Sequence, residues 1–118
     1  MGASRLTTPE LCPPPYPDQL EIVCRNDANG VTLTVRGEID LASAPALERE
    51  LRDAETRARR VVLDLADLAF IDSTGIHVLI DAQGRADIDG HQLVLTHVPA
   101  HARRLFSLTG IDGRFSIA

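Results

Sequence analysis

The sequence predicts one α/β domain, with a mostly parallel sheet, an antiparallel N-terminal edge strand and three to four helices. Three observations predict it. From Leu20 onward the apolar residues recur alternately with a period near two and a period near 3.6. Val61-Val62-Leu63-Asp64-Leu65 is almost continuously apolar, as in a strand covered on both faces. The resulting order, β-β-α-β-α-β-α-β, implies right-handed crossovers between parallel strands. At 118 residues and 12.8 kDa there is room for one ordinary domain. Residues 1–18 form an expected flexible tail and 19–118 the domain.

The tail carries Pro9, Pro13, Pro14, Pro15 and Pro17. Proline supplies no backbone donor and favours extended conformations, so a tail outweighs an SH3-type ligand. In the domain, Glu21–Arg25 and Val31–Arg36 alternate in part, and Asn26-Asp27-Ala28-Asn29-Gly30 between them has turn chemistry, which gives a β-hairpin. A helix follows Gly37-Glu38-Ile39-Asp40, with Ser43 as its N-cap and Pro45 in its first turn. Leu47, Leu51, Ala54 and Ala58 form its apolar stripe, and Glu48–Arg52, Asp53–Arg57 and Glu55–Arg59 are spaced as i,i+4 ion pairs. After the strand at 61–65, Ser73 to about Asp87 reads as a largely buried helix ended by Asp89-Gly90. Gln92–Thr96 is a further strand. Pro99 opens a third helix that Gly110 closes, and Arg114–Ile117 offers a last short strand.

Composition excludes several classes of function. The formal charge is −5, from 17 acids and 12 bases, and every base is Arg. With one Tyr, three Phe and no Trp, the chain has neither the basic surface nor the stacking platforms of a nucleic-acid binder. A protein or a small molecule is the expected partner. No apolar run approaches the roughly 18–20 residues of a membrane span, and Met1–Leu6 has no apolar leader core, which makes cytoplasmic residence the expectation. Cys12 and Cys24 make no C-x-x-C pair and complete no zinc set, so two reduced thiols are expected. His77, His91, His97 and His101 lack metal-ligand spacing; no metal and no cofactor is expected.

The segment with chemical content is Phe70-Ile71-Asp72-Ser73-Thr74-Gly75, directly after a strand and opening a helix. Asp and Ser there can serve simply as caps. Ser73, however, falls at a strand-to-helix junction, a place usually exposed at the rim of an α/β sheet. A phosphate on it would add roughly −1.5 to −2 charges, with its oxygens taking helix N–H donors. A hydrolase triad of Ser73 and His77 fails, because the G-x-S-x-G elbow is missing and a base four residues along the helix points past the hydroxyl. Asp64 is no receiver-type phosphoacceptor, since the chain has no Lys to hold the phosphate; it is expected to bind loop backbone near the rim.

Three segments together resemble the STAS domains of the anti-sigma factor antagonist family, from about Leu20 to the end. They are Gly37-Glu38-Ile39-Asp40, Val61–Leu65 leading into Phe70–Ile76, and Leu105-Phe106-Ser107-Leu108-Thr109-Gly110-Ile111-Asp112. The resemblance implies a binding module, not an enzyme. It would bind a GHKL-type anti-sigma factor serine kinase, free sigma factor, be switched off by phosphorylation, and be restored by a PP2C-type phosphatase. Carried over by residue, the phosphoacceptor is Ser73. Asp72, Thr74 and Gly75 are its motif neighbours, and Asp40 lies near the same partner-binding surface; no role carries over to His77. The alternatives are a STAS subunit of an ABC-type lipid transporter and an element of a stress-sensing shell, both acting without phosphorylation. Oligomeric state stays open.

Overall fold

A two-residue reversal at Ala28-Asn29 folds the first long strands onto each other, and the Asn29 amide donates to Asp27 Oδ1 at 2.8 Å inside it. The computed structural model describes residues 10–11 and 19–118, within which one six-stranded sheet runs in sequence order. Its strands are β1 (Glu10–Leu11), β2 (Leu20–Asp27), β3 (Gly30–Ile39), β4 (Arg60–Ile71), β5 (Gln92–Thr96) and β6 (Ser116–Ile117). β1–β2 and β2–β3 are antiparallel; β3 through β6 are parallel. The helices are α1 (Ala44–Arg57), α2 (Ser73–Asp89) and α3 (Ala100–Thr109). The α/β class and the antiparallel N-terminal edge agree with the sequence reading. β1 pairs Glu10 with Cys24 and Leu11 with Val23, inside the stretch expected to be a tail; the rest of 1–18 lies outside the described residues.

Burial alternates along Val31–Val35 of β3 and Val61–Leu65 of β4. Val31, Leu33 and Val35, then Val61, Leu63 and Leu65, are sealed, whereas Thr32, Thr34, Val62 and Asp64 are only half-buried. One face of these strands therefore carries the core, against the expectation that β4 is covered on both. α1 contributes Leu47, Leu51 and Ala54 to it, α2 Ile76, Leu79, Ala82 and Ala86, and α3 Ala102 and Phe106. Phe106 stacks at a tilt on Phe115, ring centroids 5.2 Å apart, and closes the sheet's last corner.

Local signals behave as their chemistry requires, with instructive exceptions. Gly90 and Gly110 end α2 and α3 in the left-handed conformation. Ser43 occupies the N-cap position of α1 but does not cap it; its sealed hydroxyl donates to Glu38 O at 2.8 Å and accepts from the Asp40 amide at 2.9 Å. Asp40 Oδ1 instead receives the Ala42 and Ser43 amides at 3.0 and 3.2 Å. The Glu48–Arg52 and Asp53–Arg57 pairs form, at 2.6 and 3.0 Å. Glu55–Arg59 does not, because α1 ends at Arg57 and leaves Arg59 off its face. Glu55 takes Arg85 of α2 at 2.8 Å, so this ion pair ties two helices together. Cys24 is disulfide-bonded, contrary to the reduced thiol expected; the chain's other cysteine is Cys12, outside the described residues.

Candidate functional site

β4 continues past the end of β5. It pairs with β5 only over Arg60–Asp64, whereas β3 accompanies it as far as Ile39↔Ile71. The two strands end side by side, and the Asp72 amide donates to Ile39 O at 3.1 Å. That bond sets Asp40 beside Asp72 although 32 positions separate them in the chain. The predicted residues Asp40, Asp72, Ser73, Thr74 and Gly75 thus share one rim, at the carboxyl ends of neighbouring parallel strands. Ligands and partners of open α/β sheets are usually met there.

Three residues of the Asp72–Gly75 run have structural tasks. Asp72 is the N-cap of α2. Its Oδ1 accepts the Thr74 amide at 2.9 Å, the Gly75 amide at 3.3 Å and the Thr74 hydroxyl. Burial pushes the Asp72 carboxyl upward, but the hydrogen bonds from the Thr74 hydroxyl and the Gly75 and Thr74 amides outweigh it. The group is held below its ordinary value and is charged at neutral pH. Gly75 is buried where a Cβ would lie 2.7 Å from both Ile39 Cγ2 and Ile71 Cγ1, so only glycine lets the helix start close onto β3 and β4. Gly37, at φ +103°, serves the other strand similarly; a Cβ there would meet Gln19 O at 2.0 Å.

Ser73 is the member without a structural task. It is exposed, and its hydroxyl makes no hydrogen bond among the described residues. This geometry corrects one expectation. The amides of Thr74 and Gly75 are already occupied by Asp72, so a phosphate on Ser73 would not find them open. Such a phosphate would remain on the surface, adding its charge to Asp72, to Asp40 and to the exposed Glu38 two residues before it.

Two residues of this rim escaped the sequence reading. Leu41 is 77% exposed immediately after Asp40, and Phe70 is 47% exposed two residues before Asp72. Because Ile39 pairs with Ile71, both apolar groups lie at the strand ends that carry Ser73. Their signal was a large apolar residue abutting each polar motif, but the motif's helix and strand could equally have buried them.

The remaining candidates stand apart. Asp64 Oδ1 accepts the Ala66 amide at 3.0 Å, backbone of its own strand β4 rather than of the loop expected, and lies 3.2 Å from His97 Nδ1. His97 holds φ 54°, and His101 Nε2 is 3.0 Å from Leu68 O. No group of three or more His, Cys, Asp or Glu side chains fit to hold a metal occurs among the described residues. No helix among them is long and apolar enough to cross a membrane.

Known proteins share this architecture. A family model described as "Mlab, STAS domain" matches residues 22–117. The anti-sigma-B factor antagonist of Bacillus subtilis is 27% identical over 99 residues, covering 84% of this chain and 91% of that one. BtrV of Bordetella bronchiseptica is 36% identical over 86 residues, 71% of this chain and 73% of its own. Among solved structures, an anti-sigma factor antagonist from Mycobacterium paratuberculosis superposes with a TM-score of 0.76 at 25% identity, covering 86% and 87% of the two chains.

Proposed function

This chain belongs to the STAS-domain family, and from that premise we propose that it is an anti-sigma factor antagonist switched by phosphorylation of Ser73. Unmodified, the rim of Asp40, Asp72, Ser73, Thr74 and Gly75 docks on an anti-sigma factor and releases the sigma factor that factor holds. The protein acts in the cytoplasm as a binding module and a kinase substrate, not as an enzyme. The kinase, of GHKL type, transfers the γ-phosphoryl of ATP to Ser73 Oγ; ADP leaves and the hydroxyl proton passes to a base on the kinase. A PP2C-type phosphatase hydrolyses the ester and returns the serine.

The observation that carries this reading is the contrast within one turn of helix. Asp72 and Thr74 are bound to each other and Gly75 is buried, while the Ser73 hydroxyl is exposed and without a hydrogen bond among the described residues. A dianion there meets a rim that is already acidic. At a docked interface, an uncompensated charge costs about 2–5 kcal/mol, a loss of roughly 30- to 5000-fold in affinity, with no change of fold required. A transporter-subunit role is not favoured, since the curated relatives carry the name of antagonists.

The test combines labelling and binding. Incubation with ATP and a cognate anti-sigma kinase should label the wild type on Ser73 and leave Ser73→Ala unlabelled. Ser73→Ala should keep its affinity for the kinase, and Ser73→Asp should lose at least about tenfold. An Asp variant that binds as well as wild type would refute charge at this position as the switch.

A further inference from the structure

α2 carries two basic residues, His77 and Arg85. Arg85 is committed to Glu55 at 2.8 Å and Glu48 at 3.4 Å on α1, three turns from the helix start. His77 is different. It is exposed, has no hydrogen-bond or ion-pair partner among the described residues, and follows Ser73 by four positions on the same helix face. Acid first and base four residues later is the favourable order for a helical ion pair. With the Thr74 and Gly75 amides held by Asp72, a phosphate on Ser73 has to look along the helix surface for a counter-charge.

We infer that His77 is the counter-ion of phosphorylated Ser73, a positioning residue that holds the phosphate along α2. The inference depends on Ser73 being the modified residue and adds a partner for the modified state. Phosphorylation carries the oxygens beyond the hydroxyl, so the side chain that points past Ser73 Oγ comes within reach of the ester's terminal oxygens. An imidazole and a phosphoserine both titrate near pH 6–7, about the values that let each bias the other's charge. The dianion favours the imidazolium, and the imidazolium favours the dianion.

Asp81 follows His77 by one turn, and its charge also acts on Arg85; it is present in every variant compared below. The other charges around this site are held by partners. Asp72 is bound to Thr74 and Gly75, and Asp40, on the connection after β3, to Ala42 and Ser43. From α1, Glu48 and Glu55 are taken by Arg85.

The experiment needs no kinase. Phosphoserine is placed at position 73 during translation, and its second ionisation is followed by 31P NMR from about pH 5 to pH 8. It is measured in the otherwise wild-type chain, in His77→Gln and in His77→Arg, all checked for unchanged melting. The Gln variant should titrate higher by roughly 0.2–0.4 pH units, the shift of one singly charged i,i+4 pair, because the second ionisation adds one charge. The Arg variant should titrate at or below the wild-type midpoint. Equal midpoints in wild type and Gln, or an Arg variant that behaves like Gln, would overturn the inference. Failure of the kinase to label Ser73 would instead sink the function proposed above and leave this titration result standing.

Discussion

Substituting Gly75 by alanine tests whether the site's shape comes from a close approach of helix to sheet. The added methyl would stand 2.7 Å from Ile39 Cγ2, 2.7 Å from Ile71 Cγ1 and 3.1 Å from Ile71 Cδ1. Both isoleucines are at or below 5% exposure and sit on adjacent parallel strands, so neither can swing into solvent. Overpacking of this kind costs about 1–3 kcal/mol. Alanine's better helix propensity returns at most about 1 kcal/mol. The expected net loss is about 1–2 kcal/mol, a fall in Tm of roughly 3–10 °C for a domain of this size. Thermal and urea unfolding followed by circular dichroism would measure it. In an Ile71→Ala background, where two of the three contacts vanish, the same substitution should cost less. A Gly75→Ala protein as stable as wild type, or an equal cost in both backgrounds, would refute the packing account.

Two further outcomes are expected. Asp72→Ala removes the α2 cap and should cost about 0.5–2 kcal/mol at neutral pH. Because the folded state holds the Asp72 carboxyl below its ordinary value, its contribution is complete above the unfolded value near 3.9 and is lost as pH falls through the folded one. The stability gap between wild type and Asp72→Ala, read from urea titrations, should therefore narrow below about pH 4. Leu41→Ser and Phe70→Ser should leave melting nearly unchanged, since both side chains are exposed, while each weakens binding to the anti-sigma partner by about tenfold, as loss of an apolar interface anchor would. Unaltered binding would remove these two residues from the docking surface.

Much of this protein is legible along the chain because its decisive interactions span few residues. The hairpin turn, the left-handed glycine caps at Gly90 and Gly110, and the Asp72 cap with its freed Ser73 each depend on neighbours within about four positions. Periodicity located β5 to the residue and α2 to within two of its end. What proximity in sequence could not decide was which long-range partner wins. Glu55 had a suitably spaced Arg59, but α1 stops first and Arg85 offers two hydrogen bonds from a neighbouring helix. Ser43 looked like a cap, yet the turn buries its hydroxyl under Glu38 O, while Asp40 binds the Ala42 and Ser43 amides that precede the helix.

The sequence by itself determined the three helices, the strands apart from β1 and the far half of β4, the α/β class and the chemistry of the Asp72–Gly75 run, since backbone sterics and side-chain-to-backbone hydrogen bonds act locally. Tertiary structure alone decided that β4 outruns β5, that Asp40 meets Asp72, and that Leu41 and Phe70 stand exposed at the same rim. Strand register and helix docking fix those facts. They are set by burying the shared core of Ile39, Ile71 and their neighbours, a balance to which residues far apart in the chain contribute together.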